Sequence, residues 1–407
     1  MRTPKTLAGK NPVQMQLANR SILLKLLRAN ESACRKDLAE MSGLTGAAVT
    51  NLIRDLVNVG LINEDKNYSG PRSRNAVALR FNYDDFLVIG VSFKRGSLCY
   101  AVANLGGRFL ETEDIPLRMD EPVSEVLQTL DGIIRDCIVK YETQGNIIGL
   151  GVSVPGPIDL EKGEIPRLTN LPGWNAIPIQ SFLEERYTLP IILDDNANSA
   201  VLAEKWFGCG ANYDNMISVL VSNGVGAGVI IDGDIYHGTF GFAGEFGHVS
   251  IDFEGPQCEC GNSGCVELYC SALSLLRNAK SLRGASNITG LADVIDRVNQ
   301  GDEDLSQMVA ESGKYLGYAI VNLVNLFNPE LVVVHGKMLK FGTLWTESIR
   351  DSVQQRLLPE VADRLVIQPT ALKQDPVTTG TIAMVCEHII NNPQLSYFAR
   401  KSKIIKA

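Results

Sequence analysis

Residues 244–270, GEFGHVSIDFEGPQCECGNSGCVELYC, place one histidine and four cysteines in a short glycine-rich segment. His248, Cys258, Cys260 and Cys265 follow the spacing H-x9-C-x-C-x4-C. Three thiolates and one imidazole complete a closed tetrahedral shell for Zn²⁺, which leaves no coordination position for water. Residues 248–265 therefore predict a structural zinc loop, the alternative being an apolar loop with incidental thiols.

The length of 407 residues exceeds the roughly 100–200 residues of one ordinary domain, so we expect two or three domains. A content of 45% hydrophobic and 21% charged residues is typical of a soluble globular protein. No apolar run reaches the roughly 20 residues of a membrane span, and the first residues lack the apolar core of a signal peptide. We therefore expect a cytoplasmic protein that is not embedded in a membrane.

Nine cysteines, an odd number, favour reduced thiols over disulfides in a chain of this kind. Five of them are scattered among apolar neighbours and are predicted to pack in the core: Cys34, Cys99, Cys137, Cys209 and Cys386.

Charge divides the chain into a basic head and an acidic body. Residues 1–80 hold 13 Lys and Arg against 6 Asp and Glu, whereas the rest hold 25 against 40. This asymmetry favours a nucleic-acid-binding module joined to a part that does not touch nucleic acid, although a solvated basic face would give the same count.

The head has the pattern of a winged helix-turn-helix. In residues 20–28, Ile22, Leu23, Leu26 and Leu27 fall on one helical face, and residues 34–62 contain two more helices joined at Gly43. Residues 60–82 predict strand, turn and strand, with arginines beside the turn as in a wing. The residues predicted to contact DNA are Thr45, which can also cap the last helix, Gly46, Thr50, Asn51, Arg54, Arg72 and Arg74.

The body alternates strands and helices in two rounds. Residues 86–117 predict three strands in a meander, 123–141 an amphipathic helix and 146–159 a buried strand ending in a Gly-Pro turn. Residues 215–238 repeat the strand, glycine turn and strand, and 331–336 add another strand. The repetition predicts two similar lobes around a cleft. Directly before the strand at 331–336, a long helix is predicted to be core, with a dimer edge as the alternative for part of it, and with Leu316, Ile320, Leu323 and Leu326 at helical spacing.

The chain resembles the repressor branch of the ROK family (repressors, open reading frames, kinases). The resemblance rests on LTNLPGW (168–174), NGVGAGV (223–229), GEFGHVS (244–250) and CECGNSGCVELY (258–269). It implies an α/β fold in which a winged helix-turn-helix, residues 1–82, precedes a two-lobed body of the actin-like, hexokinase type, residues 83–407. It also implies that the four residues of the zinc loop are the metal ligands and that Cys270 is not.

The resemblance further implies a sugar pocket. Carboxylates and amides hold sugars through adjacent hydroxyls, and Glu245, His248 and Glu267 occupy positions that bind ring hydroxyls in the family's kinases. In residues 193–204, LDDNANSAVLAE, the kinases carry an Asn-Asp pair whose aspartate is the general base, where this chain has Asp195 and Asn196. Both are predicted to bind sugar, but the carboxamide of Asn196 cannot take a proton.

The phosphate side also departs from the kinases. Their first phosphate loop resembles Asp-x-Gly-x-Thr, where this chain has Ser92, Lys94 and Gly96. The glycines of 223–229 remain, but glycine turns between strands are also ordinary architecture. We therefore expect no catalytic residue and no enzyme.

These observations predict a repressor that binds operator DNA as a homodimer or dimer of dimers and is released by a sugar inducer, with Zn²⁺ as a structural cofactor. Two alternatives remain: an ATP-dependent sugar kinase, and a regulator bound by a sugar-transport protein, for which the basic tail 396–407 could serve. Three histidines have no assigned role: His237, His335 and His388. The sequence does not identify the sugar, although the lack of an arginine cluster favours an uncharged one.

Overall fold

The computed structural model describes residues 11–65, 77–118, 121–167, 174–282, 287–399 and 403–406. The head contains three helices and a two-stranded antiparallel sheet: α1 (Pro12–Ala29), α2 (Arg35–Ser42), α3 (Gly46–Asn58), β1 (Ile62–Asp65) and β2 (Ala78–Phe81). α1 begins eight residues before the predicted Arg20, because Asn11 and Gln14 form a capping box around Pro12.

One detail of the predicted head is wrong, and another lies outside the described residues. Ile22 is 42% exposed, whereas Leu24 is fully buried beside Leu23 and Leu27. The buried face of α1 is therefore centred one residue away from the predicted stripe. The tip of the predicted wing, with Arg72 and Arg74, lies outside the described residues.

The first lobe of the body is built on a five-stranded sheet in the order β5-β4-β3-β6-β9. β3, β4 and β5 form the predicted antiparallel meander, and β6 and β9 extend the sheet in parallel. The elements are β3 (Phe86–Lys94), β4 (Ser97–Asn104), β5 (Phe109–Pro116), α4 (Val123–Tyr141), β6 (Asn146–Val154), a small sheet of β7 (Ile165–Arg167) and β8 (Asn175–Ile177), α5 (Ile179–Glu184) and β9 (Ile191–Asp195).

The second lobe repeats that arrangement, with strand order β12-β11-β10-β13-β14 and the same sequence of antiparallel and parallel pairings. The prediction of two similar lobes is confirmed. Its elements are β10 (Met216–Val221), β11 (Val225–Ile231), β12 (Asp234–Ile235), α7 (Glu267–Cys270), α8 (Ala272–Lys280), α9 (Leu291–Asn299), α10 (Glu303–Phe327), β13 (Leu331–His335), α11 (Thr343–Gln354), α12 (Pro359–Ala362) and β14 (Val366–Pro369), with short 3-10 helices at Phe246–His248 and Lys337–Phe341.

Two helices, α6 (Asn196–Phe207) and α13 (Pro376–Asn391), pack against each other, and α14 (Leu395–Phe398) follows. α6 packs against strands of both sheets, and α13 packs against strands of the first sheet. At Gly380 of α13 a Cβ would lie 1.9 Å from the carbonyl oxygen of Ser199 in α6. The absence of a side chain at Gly380 therefore permits the close contact of the two helices.

The head is joined to the body through a shared apolar core. One cluster contains Leu27 and Leu61 of the head together with Trp206 and Ile390 of the body. At its edge the Arg28 guanidinium carbon lies 3.4 Å from the centre of the Trp206 ring. The predicted boundary at residue 82 falls between β2 and β3, and the two parts are packed together there.

Two core predictions need correction. Leu326 is 77% exposed, although Leu316, Ile320 and Leu323 are buried. At about 100° per residue, Leu326 points about 80° away from Leu316, and Phe327 continues the buried stripe instead. Among the five scattered cysteines, three are buried, but Cys34 and Cys209 are only half-buried.

Within the described residues, no helix has the length and apolar character needed to cross a membrane.

Candidate functional site

The four predicted zinc ligands lie together in the second lobe. One donor atom from each of His248, Cys258, Cys260 and Cys265 lies within 4.8 Å of the others. Cys260 Sγ and Cys265 Sγ are 3.7 Å apart, and Cys258 Sγ is 3.7 Å from His248 Nδ1. A tetrahedral Zn²⁺ with Zn–S bonds of about 2.3 Å needs sulfur atoms about 3.8 Å apart. The donor set and its spacing therefore fit a zinc ion.

Backbone contacts hold the loop around this cluster. Gly264, with φ +64°, lies so close to Asp252 that a Cβ would be 1.7 Å from the Asp252 carbonyl oxygen. The amide of Cys258 donates to the carbonyl of Asn262 at 2.8 Å. Cys270 is fully buried, and its thiol donates to the Val266 carbonyl at 3.2 Å. Cys270 is therefore separate from the cluster, as the family resemblance implied.

Two glutamates flank His248 on opposite sides. Glu267 Oε1 lies 3.4 Å from Nδ1 of His248, and Glu245 Oε2 lies 4.0 Å from Nε2. A Cβ at Gly224 would lie 3.2 Å from Glu267 Oε2, so the glycine turn between β10 and β11 borders this group. The arrangement places two acceptors and an imidazole along one wall of the cleft.

Asp195 forms the facing wall in the first lobe. It is the last residue of β9 and caps α6, accepting hydrogen bonds from the amides of Ala197 and Asn198 at 2.7 and 2.9 Å. A Cβ at Gly156 would lie 3.0 Å from Glu245 Oε1 and 3.6 Å from Asp195 Cβ. The acids of the two lobes thus meet across Gly156. Burial and the adjacent Asp194 carboxylate raise the pKa of Asp195 to about 7.

Asn196 and Ser92 are both held by hydrogen bonds within the first lobe. Asn196 Oδ1 accepts from the Ser153 hydroxyl at 2.6 Å, and its Nδ2 donates to the Phe93 carbonyl at 3.0 Å. Ser92 is fully buried with its hydroxyl 2.8 Å from that of Thr378.

Lys94, next along the same strand end, pairs with Asp375 at 3.2 Å. Asp375 also caps α13, accepting from the Thr378 amide. The lysine at the end of β3 is therefore neutralised by a carboxylate of the protein.

Sequence reasoning left His237 without a role, and the structure places it at this cleft. Its Nε2 lies 2.8 Å from Asp194 Oδ2. The two residues are 43 positions apart and their pairing depends on tertiary structure, so the only available signal was the doubled aspartate at 194–195. His335, in contrast, is fully buried 3.8 Å from Glu204, and His388 on α13 contacts Tyr397 on α14.

The predicted DNA-contacting residues of α3 lie on one exposed surface. Thr45 caps the helix by accepting from the Ala48 amide at 3.2 Å. Exposed residues there are Thr45, Gly46, Thr50, Asn51 and Arg54, whereas Val49, Leu52, Ile53 and Leu56 are buried against the head core. α3 thus presents a polar face to solvent, and its opposite face packs into the core of the head.

Comparison with known proteins identifies the family. Residues 88–388 match the model of the ROK family. The chain belongs to the ROK family. Residues 19–63 match a model described as winged helix-turn-helix DNA-binding, so the ROK body of this chain carries a DNA-binding type of head.

Full-length relatives of this ROK protein include repressors. The xylose repressor of Caldicellulosiruptor bescii is 30% identical over 94% of this chain and 99% of its own length. Among solved structures, a ROK family transcriptional regulator, a homolog of the E. coli Mlc protein, superimposes with a TM-score of 0.81 at 26% identity, over 94% of this chain and 99% of that one. A ROK hexokinase from Thermus thermophilus matches with a TM-score of 0.63 at 25% identity, over 73% and 97%. The body therefore has the actin-like, hexokinase-type fold.

Proposed function

We propose that this ROK protein is a transcriptional repressor of carbohydrate-utilisation genes whose operator binding is controlled by a sugar in the cleft of a catalytically inactive body. The full-length similarity to the xylose repressor and to the ROK transcriptional regulator supports this proposal. The match of residues 19–63 to the winged helix-turn-helix model supplies the DNA-binding part.

The head is proposed to bind operator DNA through the exposed face of α3 and through the wing. Thr45, Gly46, Thr50 and Asn51 lie at the start of α3, which is the part of a recognition helix that reaches base edges. Arg54 on the same helix and Arg72 and Arg74 in the wing are proposed to contact phosphates or the minor groove. Because symmetric half-sites suit paired heads, the chain is proposed to act as a homodimer or dimer of dimers.

The cleft is proposed to hold a neutral monosaccharide, for which D-xylose is the first candidate because of the relatives' name. Asp195, Asn196, Glu245, His248 and Glu267 supply carboxylate, amide and imidazole partners for adjacent hydroxyls. Zn²⁺, held by His248, Cys258, Cys260 and Cys265, would fix the loop that orients His248 and Glu267. Its proposed role is structural.

The observation that carries the proposal is the position of α6 between the cleft and the head. Its first turn is capped by Asp195, and its last turn bears Trp206, on which Arg28 of α1 stacks. Arg28 also donates to the Trp206 carbonyl at 3.3 Å, and the Trp206 indole donates to Glu387 of α13 at 2.6 Å. A displacement of Asp195 by a ligand would thus be carried along a buried helix of about 18 Å to the base of the head.

The side chains at the reacting positions support binding without catalysis. The Asn196 amide cannot accept the proton of an attacking hydroxyl and is engaged by Ser153 and Phe93. Ser92 cannot hold a metal ion as a carboxylate would, and Lys94 is paired with Asp375 instead of facing a phosphate.

The proposal is tested by selecting a binding duplex from a random library and measuring its affinity with and without D-xylose, D-glucose and N-acetylglucosamine. A sugar that weakens duplex binding is the expected result, with no sugar-dependent ATP consumption. Glu245→Gln should lower the affinity for that sugar by about 10- to 100-fold, as expected for the loss of a hydrogen bond to a charged group. The matched control is Glu254→Gln, an exposed glutamate six residues from Cys260 in the same loop.

Sugar-dependent ATP consumption would instead make the chain a kinase. If the selection yields no duplex that binds the protein, the proposed repressor function is refuted. Equal sugar affinity in the Glu245→Gln and Glu254→Gln proteins would show that the sugar binds elsewhere.

A further inference from the structure

His237 and Asp194 form an ion pair between the two lobes. Asp194 lies in β9 of the first sheet, and His237 follows β12 of the second. His237 Nε2 is 2.8 Å from Asp194 Oδ2, and the side chains are 34% and 8% exposed. The pair is therefore a direct link across the cleft, partly shielded from water.

Asp194 is held in place by hydrogen bonds within the first lobe. Its Oδ1 accepts from the Asp195 amide and from Nδ2 of Asn198, each at 2.8 Å. Asn198 Nδ2 also donates to Asp195 Oδ2 at 2.8 Å. The two aspartates are thus locked to one another and to the first turn of α6, so a force applied to Asp194 acts on Asp195 as well.

His237 stands at the base of a loop in the second lobe. Its carbonyl accepts from the Ala243 amide at 3.1 Å, which closes residues 238–242 into a short loop. The next residue, Gly244, accepts from the Ala227 amide at 3.0 Å, and Glu245 follows directly. A Cβ at Gly244 would lie 2.0 Å from the Ala227 carbonyl oxygen, so this part of the chain has little freedom to move. The segment that leads to Glu245 is therefore tied at Ala243 to His237 and at Gly244 to β11.

We propose that His237 and Asp194 form a latch that holds the two lobes in register, and that His237 is a positioning residue for the facing carboxyls of Glu245 and Asp195. Sugar binding by these acids rests on the proposed function. The latch itself is a property of the free protein.

The charge of His237 strengthens the latch. The titratable groups that face its ring are Asp194 and Asp195, both at the end of β9, and the hydrogen bond with Asp194 raises the pKa of His237. A base whose pKa is raised in the folded state contributes fully below its ordinary pKa of about 6.5. That contribution is lost as the pH rises through the higher folded-state value. The latch is therefore strongest in mildly acidic solution and weakens in alkaline solution.

The test uses the full chain without ligand and measures amide hydrogen exchange of residues 236–245 from pH 6 to pH 9, after correction for the intrinsic pH dependence. We expect His237→Ala and Asp194→Asn to accelerate exchange at pH 6.5 by about tenfold or more. His237→Lys retains the charge and should restore slow exchange across the whole pH range. His388→Gln replaces another half-buried histidine, away from the cleft, and should match the wild type.

Two results would overturn the latch: exchange in His237→Ala equal to that of His388→Gln, or His237→Lys as fast as His237→Ala. Sugar affinity then separates the two proposals. If the wild type binds D-xylose or D-glucose, His237→Ala should bind it about tenfold more weakly and His237→Lys should recover most of the loss. If the wild type binds neither, the proposed ligand class fails while the exchange data still decide the latch.

Discussion

Replacement of one cysteine provides a quantitative test of the proposed zinc site. Cys260 is the exposed member of the cluster, so Cys260→Ser changes a ligand with little effect on core packing. Structural Zn²⁺ binds small peptides with an apparent free energy of about 10–16 kcal/mol. Shared equally by four ligands, this is about 2.5–4 kcal/mol each. Cys260→Ser should therefore weaken zinc binding by about 100- to 1,000-fold, since 1.4 kcal/mol is a factor of ten.

The assay is competition for Zn²⁺ with a chromophoric chelator at constant pH, combined with metal analysis of the purified protein. Cys270→Ser is the matched control, because it makes the same chemical change in the adjacent helix α7. Its thiol donates to the Val266 carbonyl, a hydrogen bond that a serine hydroxyl can replace. The wild type and Cys270→Ser should each hold one zinc ion per chain with similar affinity.

Removal of zinc should also lower the affinity for the sugar. His248 and Glu267 both contact the cluster, since Glu267 Oε1 is 3.4 Å from Cys258 Sγ as well as from His248 Nδ1. Without the ion these side chains lose the support that orients them. Wild-type zinc affinity in Cys260→Ser, or an equal loss in Cys270→Ser, would refute the ligand assignment. Unchanged sugar affinity after chelation would refute the connection between metal and cleft.

Two further results are expected. Arg28→Ala removes a cation–π contact that contributes about 1–2 kcal/mol, so the ratio of duplex affinities without and with sugar should fall by up to about tenfold. Lys25→Ala changes an exposed residue of the same helix and should leave this ratio unchanged. An unchanged ratio in Arg28→Ala would mean that α6 does not transmit the signal. Asp195→Asn should change the pH dependence of unfolding. An acid whose pKa rises from about 3.9 in the unfolded chain to about 7 in the folded one destabilises the native state as the pH rises between those values. The free energy of unfolding of the variant should therefore increase relative to that of the wild type from pH 4 to pH 8, and parallel profiles would contradict the raised pKa.

The fold could be predicted where local patterns repeat. The meander of residues 86–117 and the strands of 215–238 alternate and break at glycines, and both appear as expected in corresponding sheets. Helix faces were less well predicted. Ile22 and Leu326 each satisfy a loose helical spacing, but 100° per residue accumulates, so a residue one position off the stripe points to solvent.

The site divides in the same way. The four proposed zinc ligands lie within 18 residues, and so their short spacing alone brought them together in the prediction. Glu245 and Glu267 could be placed because they lie beside that cluster. His237 and Asp194 meet only because β12 and β9 belong to sheets that face each other, and no local pattern encodes that distance. Lys94 and Asp375, 281 residues apart, escaped prediction for the same reason.

Under the proposed function, a sugar-kinase fold without catalysis has a physical advantage for regulation. Coupling between a sugar site and a DNA site is reciprocal only for equilibrium binding, and a body that phosphorylated its ligand would consume the signal it reports. In this chain, Asn196 Oδ1 accepts a hydrogen bond from the Ser153 hydroxyl, and the Ser92 hydroxyl lies 2.8 Å from that of Thr378, so both side chains are engaged within the protein. The cleft still contains the carboxyl groups of Asp195, Glu245 and Glu267, and the two lobes meet where α6 begins. Lobe closure on a sugar prepares a reaction in a kinase. In this chain, the free energy of sugar binding would instead displace α6 and the head attached to it.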